Sequence, residues 1–248
     1  MPSDDGAPPV ARLDYDGVAL AFRIRPGRGP AVVFLPGYMS DMGGTKAVAL
    51  DAWAAVRGRA YLRLDYSGCG ASTGDFAAGT ISRWTADAAA VIAHAAPGPA
   101  LLVGSSMGAW IALRLALAAA AAAVVTIAGA PDFTDWGLAL TAADRARLAS
   151  LGFIERPSAY GAPYRYHAGL ITDGEACCLL PGPIAIDCPV RLLHGQADAD
   201  VPWRLSLDVA AALRSADVQV TLAKDGDHRL SRPADIALLT GILDQLEA

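Results

Sequence analysis

Lysine is nearly absent from this chain: Lys46 and Lys224 are the only two in 248 residues, and the remaining basic residues are arginines scattered along the sequence. With a formal net charge of -5 there is no basic stripe, so a nucleic-acid partner is not expected. Metal-binding spacing is also lacking. His94, His167, His194 and His228 form no H-x-H or H-E-x-x-H, and Cys69, Cys177, Cys178 and Cys188 contain no C-x-x-C, so no zinc site is expected. Unpaired spacing of this kind reads as four reduced thiols in a reducing compartment. The opening residues, Met1-Pro2-Ser3-Asp4-Asp5, do not have the basic-then-apolar order of a secretory signal. Together these features predict a cytoplasmic protein with no targeting segment.

Charge is sparse between Ala100 and Ala130, where only Arg114 is ionised. A membrane span is nonetheless excluded as a reading, because Gly104 to Gly108 interrupts the run, Arg114 sits near its middle, and alanine contributes little transfer free energy. A buried strand, helix and strand account for it. The glycine text after Asp65 (Tyr66-Ser67-Gly68-Cys69-Gly70, then Gly74) misses the G-x-G-x-x-G spacing of a dinucleotide loop. No cofactor is predicted.

What the chain does have is apolar mass: 54% of its residues are hydrophobic, enough at this length for one large core, and a single domain over 1–248 is expected. Asp16-Gly17 between Arg12–Tyr15 and Val18–Arg23 predicts an antiparallel hairpin. Short, mostly apolar runs at Ala31–Leu35, Ala60–Leu64 and Ala100–Val103 suit strands buried on both faces, and Val124–Ala128 and Pro189–Leu193 read as further strands. Helical stretches alternate with them at Lys46–Val56, Ile81–Ala95, Met107–Ala122 and Arg204–Leu213, with a last strand at Val218–Leu222 and a helix from about Pro233 to Leu246. That alternation is the mark of an α/β fold around a mostly parallel sheet. The rhythm breaks over about 131–187. There Phe133, Trp136, Phe153, Tyr160, Tyr164 and Tyr166 lie among prolines without a clear strand, which predicts a small helical cap.

Gly104-Ser105-Ser106-Met107-Gly108 stands where an apolar run meets a helix-prone one. A sharp strand-to-helix turn at this point lifts the Ser106 hydroxyl out of the sheet, and the small residues on either side let the backbone pack closely. The same turn frees the first amides of the helix, so the Met107 N–H becomes a candidate oxyanion donor. Tyr38, in Pro36-Gly37-Tyr38-Met39 after an earlier strand, is the candidate for the second donor amide. For the acid, Asp198 lies just past the strand ending at Leu193, with Asp200 as its rival. His228, following the last strand, can swing over the same sheet edge, and an imidazole with a pKa near ~6.5 can take a serine proton at neutral pH. His94 reads as a surface or core residue, His167 as a cap residue, and His194 as an orderer of the acid loop. Acid then histidine downstream of the serine is the order this chemistry uses on α/β sheets.

With these residues placed, the chain resembles the α/β-hydrolases, and more narrowly the mitochondrial α/β-hydrolase-domain thioesterases that are also described as acyl-glucuronide esterases. The matching text is Phe34-Leu-Pro-Gly-Tyr-Met39, Gly44-Thr-Lys46, Asp65-Tyr-Ser-Gly68, Gly104-Ser-Ser-Met-Gly-Ala-Trp110, Cys188-Pro-Val-Arg-Leu-Leu-His-Gly195, Val201-Pro-Trp203 and Asp227-His-Arg229. The resemblance implies a mostly parallel eight-stranded sheet flanked by helices. It also implies Ser106, Asp198 and His228 as nucleophile, acid and base, and favours Asp198 over Asp200. Its substrates imply small-molecule esters or thioesters with an apolar acyl group, including acylated thiols or acyl glucuronides. Met39, Trp110, Trp136 and Trp203 are the candidate walls of an apolar acyl pocket. The expected activity is carboxylesterase or acyl thioesterase; a peptidase or lactonase using the same triad, and a non-catalytic binder of a small hydrophobic ligand, are the alternatives.

Overall fold

The computed structural model describes residues 6–246 except Ala159, Tyr160, Ala162 and Pro181; Tyr160, expected in the cap, therefore lies outside the described residues. Ten strands are found among them: β1 (Ala11–Tyr15), β2 (Val18–Arg25), β3 (Arg28–Leu35), β4 (Arg59–Leu64), β5 (Leu101–Ser105), β6 (Ala123–Ile127), β7 (Phe153–Arg156), β8 (Tyr164–His167), β9 (Val190–Gly195) and β10 (Val218–Ala223). The α-helices are α1 (Thr45–Arg57), α2 (Ile81–Ala95), α3 (Met107–Ala118), α4 (Phe133–Trp136), α5 (Ala142–Leu151), α6 (Ala168–Ala176), α7 (Leu205–Ala212) and α8 (Pro233–Leu246).

Eight strands form one sheet in the order β1-β2-β4-β3-β5-β6-β9-β10. The β1–β2 hairpin turns at Asp16-Gly17, where both residues take positive φ, as that dipeptide predicts. β2 runs antiparallel to β4; every pairing from β4 to β10 is parallel. β5, β6 and β9 are buried at every position, which is why their sequences are mostly apolar without alternation, with Arg191 and His194 of β9 buried beside their partners Asp217 and Asp198. One face is covered by α1 and α8 through Leu50, Trp53, Leu239 and Leu243. The other is covered by α2, α3 and α7 through Trp84, Val91, Trp110, Ile111, Leu205 and Val209.

Two departures from the sequence reading have physical causes. Helix α3 ends at Ala118, not Ala122, because Ala119 is extended and the Ala122 amide pairs with the Ala100 carbonyl, drawing the chain onto the sheet. Alanine carries no stop signal, so the end is set by tertiary pairing. Between β6 and β9 the chain forms helices α4, α5 and α6, and also an antiparallel ribbon, β7–β8, in which Ile154 faces Tyr166. The insertion is tied at its neck: the Asp132 carboxylate accepts the Leu179 and Leu180 amides at 2.9 and 2.8 Å, joining where the chain leaves the sheet to where it returns. No helix among the described residues is long and apolar enough to cross a membrane.

Candidate active site

Four loops leave the carboxyl ends of β3, β5, β9 and β10, the edge at which α/β sheets assemble their sites. The turn after β5 is strained. Ser106 adopts φ 54° and ψ -118°, a conformation that costs a non-glycine residue on the order of 1–3 kcal/mol and is held only by its surroundings. Those surroundings are backbone: the Ser106 N–H donates to the Ile127 carbonyl at 2.9 Å, and its own carbonyl accepts from Ala109 and Ala130 at 3.0 and 3.1 Å. Close approach explains the flanking glycines. A Cβ on Gly104 would stand 2.3 Å from the Gly108 carbonyl oxygen, and one on Gly108 would stand 2.1 Å from that of Leu35.

Ser106 Oγ lies 3.1 Å from His228 Nε2, and His228 Nδ1 lies 2.8 Å from Asp198 Oδ2. A carboxylate oxygen only accepts, so the shared proton of a neutral His228 sits on Nδ1 and leaves Nε2 to accept from the serine hydroxyl. Asp198 is the better placed of the two aspartates. Its side chain is fully buried, and its Oδ1 accepts the Asp200 and Val201 amides at 2.9 and 2.8 Å. Burial by itself would raise its pKa, but hydrogen bonds from His194 and His228 hold the carboxyl well below the usual carboxylate range. His194 orders this loop, as its position suggested: Nε2 is 3.1 Å from Asp198 Oδ2, Nδ1 is 2.7 Å from Ser206 Oγ, and the ring is fully buried. His94 packs edge-on to Phe22, and His167 opens α6 in the cap.

The loops that carry Asp198 and His228 are stitched to each other by backbone, with Gln196 N–H donating to the Ala223 carbonyl and Ala197 N–H to that of Gly226. Behind His228, Lys46 Nζ donates to the Arg229 carbonyl and reaches Ser231 Oγ at 3.4 Å. Neither Lys46 nor Ser206 was picked out as part of the site from sequence. A lysine in a chain nearly devoid of them was the available signal for the first; a lone helix serine offered none for the second.

On the oxyanion side, Gly37 fits against the elbow so closely that a Cβ there would lie 3.2 Å from the Ser105 carbonyl oxygen and 3.3 Å from Ser106 Cβ. The next amide, that of Tyr38, and the Met107 amide at the start of α3 have no protein acceptor among the described residues. Asp198, Asp200 and His228 also bring ligand atoms within 4.8 Å of one another. In that group His228 Nδ1 is already engaged by Asp198.

The four candidate pocket residues do not share one pocket. Trp136 and Trp203 line a cavity of about 530 Å³ together with Gln196, Asp198, Asp200 and Arg204. Its walls are half polar, not the apolar acyl pocket expected. Met39, 47% exposed, lines a second cavity of about 200 Å³ with Cys69 and Phe76. Trp110 is a correction: at 0% exposure it is a core residue, packed edge-on to Phe133, and it presents no surface to a ligand. Helix α3 is buried at every position from Met107 to Leu113, so Trp110 is enclosed between the helix and Phe133 of the insertion.

Residues 32–237 match the profile of the Alpha/beta hydrolase family. The chain belongs to that family. This α/β-hydrolase is 41% identical over 233 residues to the mouse mitochondrial palmitoyl-protein thioesterase ABHD10, covering 92% of this chain and 78% of the mouse protein. Against its human counterpart the identity is 39% over 236 residues, covering 92% and 76%. Among solved structures it superposes on a crystal structure described as a hydrolase from Agrobacterium vitis S4 with a TM-score of 0.91 at 41% identity, covering 96% of this chain and 99% of that one. Mouse ABHD10 gives 0.89 at 39% identity, covering 96% and 98%. These comparisons overturn the cytoplasmic expectation for this α/β-hydrolase, since the curated relatives are described as mitochondrial. The reading rested on thiol spacing and N-terminal composition; reduced thiols are compatible with more than one compartment.

Proposed function

We propose that this α/β-hydrolase cleaves carboxylic esters or thioesters through an acyl-enzyme on Ser106. The observation that carries the reading is the continuous relay from Ser106 Oγ through His228 to the buried Asp198 carboxylate, at 3.1 and 2.8 Å. As Ser106 Oγ attacks the acyl carbon, its proton passes to His228 Nε2, and the carbonyl oxygen becomes an oxyanion facing the Tyr38 and Met107 amides. Collapse breaks the bond to the alcohol or thiol, which leaves with the proton from His228. A thiol, with a pKa near ~8.5, needs that proton less than an alcohol does, so thioesters are suited to the first step. Water then adds to the acyl carbon, giving its proton to His228, and the free acid departs as Ser106 recovers its hydrogen. Asp198 holds the imidazole tautomer and stabilises the imidazolium formed twice in this cycle.

The relatives named as palmitoyl-protein thioesterases support a thioester bearing a long apolar acyl chain. The polar-walled cavity beside Asp198, with two tryptophan faces and Arg204, suits a leaving group that carries its own hydrogen-bonding atoms, such as an acylated thiol or an acyl glucuronide. The test is kcat/KM across acyl-CoA, acyl-cysteine peptides, aryl esters and acyl glucuronides, each with the wild-type chain and Ser106→Ala. Turnover that rises with acyl length and disappears in Ser106→Ala supports the reading; turnover retained in Ser106→Ala rejects it. Failure of a fluorophosphonate to label Ser106 would instead favour a non-catalytic binder.

A further inference from the structure

The hydroxyl and ring of Tyr38 are occupied in a way that oxyanion donation by its amide does not require. Its Oη donates to the carbonyl of Arg165 on cap strand β8, 127 residues along the chain. Its ring lies face to face with Tyr166 on the same strand, with centroids 5.0 Å apart and planes 10° from parallel. Phe76, Trp84 and Phe133 close around it at 5.3, 5.9 and 6.2 Å. Burial raises the phenol pKa far above its ordinary value, so the hydroxyl stays a neutral donor across the working range. On the backbone side the freedom is small. Gly37 is wedged against the elbow, Ser40 N–H donates to the Gly37 carbonyl at 3.1 Å, and Met39 takes φ 54°. The loop is thus gripped at two points, one on the nucleophile turn and one on the cap.

We propose that the Tyr38 side chain is a positioning device through which cap strand β8 holds the oxyanion-loop amide, so that the hole is complete only while the β7–β8 ribbon is docked. The inference rests on the serine-hydrolase reading above. An oxyanion donor acts through placement to a few tenths of an ångström, and it is lost by displacement as surely as by deletion. Every substitution of Tyr38 other than proline keeps the amide and changes only the grip.

The experiment uses an aryl acetate, whose acyl group is too short to need the cap for binding. Tyr38→Phe keeps the ring stack and loses the hydroxyl; kcat and kcat/KM should fall together by roughly three- to tenfold, the worth of one net hydrogen bond. Tyr38→Leu loses both and should fall by about a hundredfold, approaching the loss of a whole oxyanion donor. Tyr166→Leu loosens the grip from the cap side without touching the loop, and should lower kcat with KM unchanged. Each assay is run well below the variant's own unfolding midpoint. Wild-type kcat in Tyr38→Leu and Tyr166→Leu, with only a lowered midpoint, overturns the proposal and leaves Tyr38 a packing residue. Ser106→Ala is measured alongside: turnover retained there sinks the serine reading itself, whereas its loss beside unaffected Tyr38 variants sinks the cap grip alone.

Discussion

His194 Nε2 and Asp198 Oδ2 lie 3.1 Å apart with both side chains fully buried, so the carboxylate that faces His228 is itself held by a second histidine. Both neighbours of His194 Nε2, Asp198 Oδ2 and the Val201 carbonyl, only accept. The ring therefore carries its proton on Nε2 and accepts the Ser206 hydroxyl at Nδ1. Replacing His194 by Phe leaves that hydroxyl and an Asp198 lone pair unpartnered in the interior, a cost of about 1–3 kcal/mol. A urea titration should show the unfolding free energy fall by that amount, with a correspondingly lower midpoint, and kcat should fall more than KM changes. An unmoved midpoint would show that the second histidine is dispensable.

Asp198 also sets a pH window. Because its folded-state pKa is depressed, its ionised contacts contribute stability that is fully present above the unfolded carboxyl pKa near ~3.9 and is lost as pH falls through the lower folded value. The stability gap between the wild-type chain and Asp198→Asn should hold from neutrality down to about pH 5 and then narrow steadily as the pH is taken further into acid. Unfolding curves across that range check it; a gap of constant size from neutrality into acid well below the unfolded carboxyl pKa contradicts it. In the serine protease triads the corresponding change costs on the order of 10⁴ in kcat, and a loss of similar scale is expected here.

Lys46 gives a second window, at alkaline pH, in which stability again rises with pH. Burial, with the Arg229 charge beside it, pushes its pKa down to about 8. An unfolded lysine titrates near ~10.4, so between those two values the unfolded chain binds more protons and the wild-type chain gains stability as pH rises. Compared with Lys46→Met, the wild-type chain should therefore become relatively more stable from about pH 8 to about pH 10. Parallel stability curves for the two proteins would remove the lysine from the account.

At the elbow, Gly108→Ala drives a Cβ to 2.1 Å from the Leu35 carbonyl oxygen, a backbone atom that cannot swing aside. The expected loss is about 3 kcal/mol, read as a lowered thermal midpoint. Ser106→Ala adds no atom at the same turn and should leave the midpoint close to wild type.

The sheet and the relay were legible because their signals are local: apolar runs of strand length, a glycine-flanked serine between strand and helix, an aspartate and a histidine just past strand ends. The β7–β8 ribbon was not. Its strands are four residues each, too short for alternation to stand out among prolines, and their register is set by contacts with Tyr38 and Phe133 far away in the chain. Trp110 was misplaced for a related reason. Proximity to the serine in sequence suggested a pocket wall, while the helix turn points it into the core against Phe133. The second histidine on Asp198 was visible as a residue, but its partner Ser206 is twelve positions away on another element.

The central claim is an acyl group carried on Ser106. On rapid mixing with excess long-chain 4-nitrophenyl ester, nitrophenol should appear in a burst matching the enzyme concentration, and enzyme quenched in that phase should gain the mass of one acyl group, which peptide mapping should place on Ser106. An adduct on another residue, or the same burst from Ser106→Ala, would contradict the account.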